Sequence, residues 1–304
     1  MKKSYFPKDG IWLKGNTHTH STMSDGQMTP EDLAQAYKAH GYDFLSLTDH
    51  NMLLVHDQIR DIIMITGTEH DLEYNPNKCI HVVGLAAEGR ATTQYPCRRY
   101  SAQELTDQQL IDMMREDGQF VSIAHPVWSR MEPEELLKLE GFHGIEVFNN
   151  GTEHLCHGGN GEFLWDLLLR HGKCVLATCC DDVHVADDRF GGWICVKAAD
   201  RSYEAILDAM FRGDYYASCG PTIHDFGLED GKAYVSCSDC REVHFVTYPP
   251  RGKSFFAEPG EALTGGTADL TGEEAYVRAV CVDAEGHCAW TNPIYMDERN
   301  HGRM

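Results

Sequence analysis

From about residue 11 to residue 215, short apolar runs alternate with amphipathic runs, and that alternation limits the chain to βα units wound around a largely parallel sheet. The apolar runs are IWLKGNTH, DFLSLTDH, IIMITGTEH, HVVGL, FVSIAHP, GIEVFNN and VLATCCDDVH. Seven such strands predict an α/β fold whose sheet curls into an incomplete or distorted (β/α)7 barrel. The runs between them carry helix punctuation. Thr29 is placed as an N-cap, Pro30 suits the first helical position, Glu31 and Asp32 complement the positive end, and Gly41 stops the helix. Leu33, Ala34, Ala36 and Tyr37 give that helix an apolar face. DQQLIDMMREDG, PEELLKLEG, EFLWDLLLRHGK and SYEAILDAMFRG read the same way, each closing at a glycine or a glycine-containing turn.

The pattern changes after Gly220 and Pro221. KAYVSCS, EVHFVTY, AYVRAVCVD and HCAWTNPIYM alternate as strands divided by Gly, Asp and Pro turns, with no helical period among them. A first domain over residues 1–221 and a small antiparallel β domain with its tail over residues 222–304 are expected, the final DERNHGRM being a loose tail.

Charge narrows the partners. A formal charge of −21 repels a polyanion over most of the surface, so long DNA or RNA is not an expected partner. Small phosphorylated compounds remain open, because bound divalent ions reverse the field locally. No stretch approaches the roughly 20 apolar residues of a membrane span, and MKKSYFPKDGIW lacks the apolar core of a signal peptide. A cytoplasmic protein with no membrane partner is therefore expected. The 12 cysteines are read as reduced thiols. Cys237 and Cys240, in CSDC, have zinc-knuckle spacing, but no second CxxC or HxxxH nearby completes four ligands.

The chemistry sits at the strand ends. The first strand runs into His18 and His20, with Asp25 just beyond, and the second ends at Asp49 and His50. The third ends at Glu69, the fourth begins with His81, the fifth ends at His125, and the last ends at Asp182 and His184. In parallel α/β folds the carboxyl ends of the strands line the site, so these side chains are expected to converge. Six histidines and three carboxylates exceed what one tetrahedral ion can use and imply two or three divalent ions, with Zn, Mn or Fe suiting the mixed nitrogen and oxygen donors. His40, His143 and His171 lie beside glycines at helix ends, where an imidazole complements the helix dipole, and are left out of the cluster. His157, in HLCHGGN, is placed at the border of the cleft.

The segment THTHSTMSDGQMTPEDLAQAYKAHGYDFLSLTDHN resembles the opening of the PHP family, the polymerase and histidinol phosphatase domains. The resemblance continues through TGTEH, HVVGL, AHP and DDVH, over roughly residues 11–220. It implies a distorted seven-stranded barrel and His18, His20, Asp25, His50, Glu69, His81, His125, Asp182 and His184 as metal ligands. The segment after residue 215 is similar to the β extension of members close to carbaryl-hydrolysing and TrpH-like proteins, and differs from stand-alone histidinol phosphatases.

The expected activity is a metal-dependent phosphoesterase that hydrolyses a phosphate mono- or diester of a small molecule or short nucleotide with metal-activated hydroxide at a two- or three-metal centre. Asp182 is the candidate ligand and orienter of the nucleophile, with Asp181 as the competing choice, and His125 is the candidate proton donor if it is not committed to metal. Asp49 is expected to hold a ligand imidazole in its tautomer. Arg130 and Arg189, on loops past His125 and His184, are placed to grip phosphate. Glu146 and Asn149 sit near the sixth strand end, where contact with a water or ligand competes with the favoured reading of strand residues paired within the barrel, and Trp128 and Trp193 are read as packing rather than base-stacking platforms. A carboxylic or carbamate ester hydrolase and a non-catalytic metal-binding regulatory module are the alternatives.

Overall fold

The computed structural model describes residues 2–75, 78–87 and 92–296; the expected loose tail from residue 297 onward lies outside them. The first half contains β1 (Lys2–Ser4), β2 (Ile11–Asn16), α1 (Pro30–Ala39), β3 (Phe44–Leu47), β4 (Ile63–Asn75), β5 (Lys78–Ala86), β6 (Tyr100–Ser101), α2 (Asp107–Glu116), β7 (Gln119–Ile123), α3 (Pro133–Leu136) and β8 (Gly144–Asn149). Then come α4 (Asn150–Cys156), α5 (Glu162–Arg170), β9 (Leu176–Cys180), β10 (Trp193–Ala198), α6 (Tyr203–Arg212) and β11 (Tyr215–Ser218). The rest is β12 (Ile223–Glu229), β13 (Lys232–Cys240), β14 (Glu242–Tyr248), β15 (Lys253–Phe256), β16 (Leu263–Asp269), β17 (Tyr276–Val282), β18 (Cys288–Thr291) and β19 (Ile294–Tyr295).

The helices form where capping and periodicity place them. Thr29 accepts the Asp32 N–H at 3.2 Å to open α1, and Gly41 after it takes φ +77°, a conformation glycine adopts without a Cβ penalty. Leu33, Ala34 and Tyr37 of α1 pack on Leu45, Leu47 and Val183, and each large side chain buried in this way contributes about 1.5–3 kcal/mol. The segment expected to be a helix from Pro133 to Gly141 is helical only to Leu136.

Seven strands, β2, β3, β4, β5, β7, β8 and β9, lie consecutively in one sheet. The β2–β3–β4 and β7–β8–β9 groups are parallel, whereas β5 runs antiparallel to both β4 and β7. This corrects the expectation of a parallel fourth strand. The sequence leaves only Pro76 and Asn77 between β4 and β5, far too little for the crossover that parallel pairing requires. The reversal also explains why His81 stands at the start of its strand while the other cluster residues follow theirs: an antiparallel strand delivers its amino end to the face where its neighbours deliver their carboxyl ends. Between the two edges of the row the described residues record one bridge, Thr19–Val183, so the pairings establish a seven-stranded row rather than a closed barrel.

β10 and β11, absent from the sequence reading, continue the sheet antiparallel from β2 to β18, and the row extends through β17 and β14 to β15. A second sheet, β1–β12–β13–β16, is antiparallel, and its first strand is the chain's amino-terminal segment. Phe226, Val235, Val243, Phe245 and Ala279 form part of the core shared by the two sheets. No helix among the described residues is long and apolar enough to cross a membrane, and all 12 cysteines are unpaired.

Candidate metal centre

Glu69, on β4, lies at the middle of the cluster. Its Oε1 is 3.0 Å from His81 Nδ1, 3.1 Å from His125 Nε2 and 3.3 Å from His18 Nε2. Its Oε2 is 3.1 Å from His20 Nε2 and 3.2 Å from His50 Nδ1. Asp182 Oδ1 faces the Nε2 atoms of both His18 and His20 at 3.2 Å. Asp25, on the exposed rim, reaches His20, His50 and His184 at 3.5, 3.6 and 3.5 Å. The structure thus brings together all nine residues singled out at the strand ends.

Their backbones are held in unusual conformations. His125 takes φ +23° and Asp182 φ +51°, positions that a residue with a Cβ leaves unless its surroundings fix it. The Asp182 N–H donates to the His18 carbonyl at 2.9 Å and the His20 N–H to the Val183 carbonyl at 3.1 Å, so the loops after β2 and β9 lock each other.

The donor set fits divalent cations. The Nε2 atoms of His18 and His20 face each other at 3.2 Å and also face two buried carboxylates. Asp182 Oδ1 and His50 Nδ1 are buried and make no well-aligned hydrogen bond, although imidazole and carboxylate atoms face them at 3.2 Å, an arrangement that is costly for polar atoms unless a cation sits among them. Donor atoms of His20, Asp25, His50 and His184, of His18, Glu69 and His125, and of His18, His20 and Asp182 form groups each within 4.8 Å. Burial would push the Glu69 carboxyl up, but His18, His81 and His125 outweigh it and hold it well below the usual range. Burial likewise disfavours the charged rings of His20 and His81, yet Asp182 and Glu69 raise the first to about 9 and Glu69 raises the second to about 10. The field of this site therefore draws positive charge inward.

An outer layer orients the donors. Glu146 Oε1 accepts from His18 Nδ1 at 2.7 Å, and its Oε2 accepts the His125 N–H at 2.7 Å and Asn149 Nδ2 at 2.8 Å. Asn149 Nδ2 also reaches Asp182 Oδ2 at 3.1 Å, while its Oδ1 caps α4 by accepting the Thr152 N–H. Ser129 Oγ is 3.1 Å from His125 Nδ1. Glu146 and Asn149, expected to be ordinary strand pairing, thus support the cluster directly. Asp49, expected to hold an imidazole, instead accepts from the backbone and hydroxyls of Ser21 and Ser24, and Ser24 Oγ in turn lies 3.3 Å from His20 Nδ1. Asp181 points away from the cluster, accepting Tyr37 OH at 2.5 Å and the N–H groups of Phe190, Gly191 and Gly192.

The cluster opens into a cavity of about 1550 Å³ whose lining includes Arg99, Arg130, Trp128 and His154. Arg130 stands where the sequence placed it. Arg189 is not among the lining residues; its Nε donates to the Ala186 carbonyl and its guanidinium lies over Phe190. Arg99, missed in the sequence because it falls between β5 and α2 with no motif around it, forms an ion pair with Asp71 at 2.5 Å on the same wall. His157, expected at the cleft, is exposed and bound to Glu153, and His154 takes the position at the wall. Trp128 stands edge-on to His81 and His125, with ring centroids 5.5 and 4.9 Å away, so it is packing and cavity wall at once. Trp193 lies under the Lys14 ammonium.

No family model matches the chain. Among solved structures it is similar to a two-domain protein containing a predicted PHP-like metal-dependent phosphoesterase from Bacteroides vulgatus, with a TM-score of 0.52 and 17% identity over 96% of this chain and 98% of that one. In fold the chain resembles that PHP-like structure. An amidohydrolase from Chromobacterium violaceum aligns less well, at a TM-score of 0.42 and 18% identity over 57% of this chain and 89% of that one. A curated 5'-3' exoribonuclease of Haemophilus influenzae is 35% identical over 78 residues, a stretch covering 24% of this chain and 28% of that protein.

Proposed function

We propose that this chain is a PHP-type metal-dependent phosphoesterase acting on a small phosphorylated compound or a short nucleotide. The observation that carries the reading is Glu69, a buried carboxylate touched by five imidazoles at the inner end of an open cavity. His18, His20, Asp25, His50, Glu69, His81, His125, Asp182 and His184 are the residues that would hold two or three divalent ions. Such ions supply hydroxide near neutral pH and neutralise charge on a phosphoryl group. Asp182 is the orienting carboxylate, held by Asn149 and aimed at the His18 and His20 pair. His125 borders both Glu69 and the cavity, and would handle a proton on the substrate side only where its Nε2 is not committed to an ion. Arg130 and Arg99 are the guanidinium groups on the described wall that would face a phosphate, Arg99 from its ion pair with Asp71.

The short match to an exoribonuclease supports including RNA phosphodiesters among the substrates tested. The cavity wall also carries Asp71, Asp187 and Asp188, so its described residues form no basic track of the kind a long strand needs and favour short substrates. The test is hydrolysis of an aryl phosphate, the matching aryl carboxylate ester and a short oligoribonucleotide by metal-reconstituted protein, with His20→Ala as control. Turnover of a phosphate substrate, lost in the variant, is expected. Turnover of the carboxylate ester alone would sink the phosphoesterase reading, and silence on every substrate with metal fully bound would favour a binding module.

A further inference from the structure

Three buried thiols meet in a group separate from the histidine cluster. Cys237 and Cys240 belong to β13 and Cys281 to β17, and their sulfurs lie within 4.8 Å of one another. Positions i and i+3 of a regular strand face opposite sides. Here the register of β13 against β16 slips between Ser236 and Cys240, and the irregularity turns both cysteines inward while Ser238 and Asp239 between them stay outside. Cys281, opposite Val243 in the β14–β17 ladder, meets them from the long sheet that also contains the seven-stranded row. Around the thiols are Ile223, Phe226, Val243 and Ala279, so solvent is excluded. A cysteine is an ordinary apolar filler at any one of these positions. A strand distorted so that two thiols share a face, with a third brought from another sheet, is the arrangement of a ligand set.

We propose that Cys237, Cys240 and Cys281 form a second metal site, a trithiolate cradle for a soft ion such as Zn2+, which ties the two sheets of the C-terminal β region together. Zinc–sulfur bonds of about 2.3 Å place sulfurs about 3.8 Å apart around one ion, inside the 4.8 Å within which these three lie. Thiolates select soft ions over the harder ones that carboxylates and imidazoles accept, so the two sites differ in preference. Each thiol releases its proton to solvent as its bond to the ion forms.

The test is a Co2+ titration of the full chain, followed by absorption. Wild type is expected to show a thiolate-to-cobalt charge-transfer band that disappears in Cys281→Ser and persists in Cys180→Ser, the variant that removes the thiol beside His18 and Glu146. A band that follows Cys180 instead, or no band at all, overturns the proposal. Alkylation of wild-type protein, mapped by peptide mass spectrometry, needs no variant to fold. The rates at Cys237, Cys240 and Cys281 are expected to fall at least tenfold with Zn2+ relative to chelator, and equal rates, or recovery of Cys237 and Cys240 as a disulfide in the presence of Zn2+, argue against the site.

Discussion

Glu146 holds His18 from behind with one oxygen and fixes the His125 backbone and Asn149 with the other. A neutral amide there keeps the shape but loses the charge and offers one oxygen to three donors. Glu146→Gln is therefore expected to weaken metal binding by about 10–100-fold, the usual cost of losing an outer-shell partner, with the far-ultraviolet circular dichroism unchanged. A binding isotherm matching wild type would remove Glu146 from the machinery. His143 shows the same logic applied to stability. It was read as a helix-end imidazole, but its Nδ1 accepts the Val121 N–H at 3.0 Å while its ring stacks on Phe120, and burial with Arg115 nearby pushes its pKa down to about 4. The folded chain holds that proton less well than the unfolded chain. Between the unfolded value of about 6.5 and the folded value the unfolded state binds more protons, so stability is full above 6.5 and is lost as pH falls towards about 4, by roughly 3 kcal/mol. Thermal midpoints measured across that window should drop more steeply for wild type than for His143→Asn, and parallel curves would refute the assignment. His40 and His171, by contrast, bond the Ala36 and Leu167 carbonyls at their helix ends as the sequence suggested. Most of the nine cluster residues were legible because they follow or begin a strand where a ligand-competent side chain has no packing role, whereas Glu69 lies within β4, which runs on to Asn75 instead of ending there as expected. Glu146, Asn149 and Ser129 were not, since a polar residue in or after a strand looks identical whether it pairs with backbone or steers an imidazole.

At the scale of elements, β17 is joined to α5 by a buried arginine. Arg278 donates to Glu162 at 2.8 Å and reaches Asp166 at 3.4 Å, with its guanidinium plane on Trp165. Trp290 Nε1 and Tyr276 OH donate to the same two carboxylates at 2.9 Å. Removing the arginine leaves the partly buried Glu162 short of its cation, while Asp166 keeps Arg170 at 3.1 Å, a change costing about 3 kcal/mol at the lower end for a buried pair. Arg278→Ala should lower the denaturant midpoint accordingly, Arg278→Lys should recover only part of the loss, and a midpoint unchanged in both would mean that the network is dispensable. Nothing in AYVRAVCVD marks Arg278 as buried, because a charged residue in an alternating strand reads as its solvent face. The element pattern was clearest where local chemistry decides it: α1, α2, α5 and α6 follow their caps and apolar faces. It was least clear where tertiary pairing decides it. β1 contains two lysines in three residues and is a strand only because β12 receives it, and the glycine-rich β16 is one only because β13 does.

The whole molecule is stitched at the cluster. The donors come from the ends of β2, β3, β7 and β9, from within β4 and from near the start of β5, so one centre gathers segments from residue 18 to residue 184. Without cations the buried Glu69, Asp182 and Glu146 depend on protonated imidazoles for compensation, and those protons compete with the orientation each ring needs for coordination. Ions that bind only the folded arrangement add stability by mass action, about 2.7 kcal/mol at a free concentration one hundred times the dissociation constant. For a chain of 304 residues that corresponds to a rise of roughly 4 °C in the unfolding midpoint. Mn2+ is the informative ion, because it favours the oxygen and imidazole donors here and has little affinity for the thiols of β13 and β17. Chelated protein supplied with Mn2+ should gain that increment in wild type and in Cys281→Ser alike, and lose most of it in His20→Ala. An increment that survives in His20→Ala but vanishes in Cys281→Ser would move the stabilising ion to the thiols and leave the nine-residue cluster as an ionic network of protonated histidines.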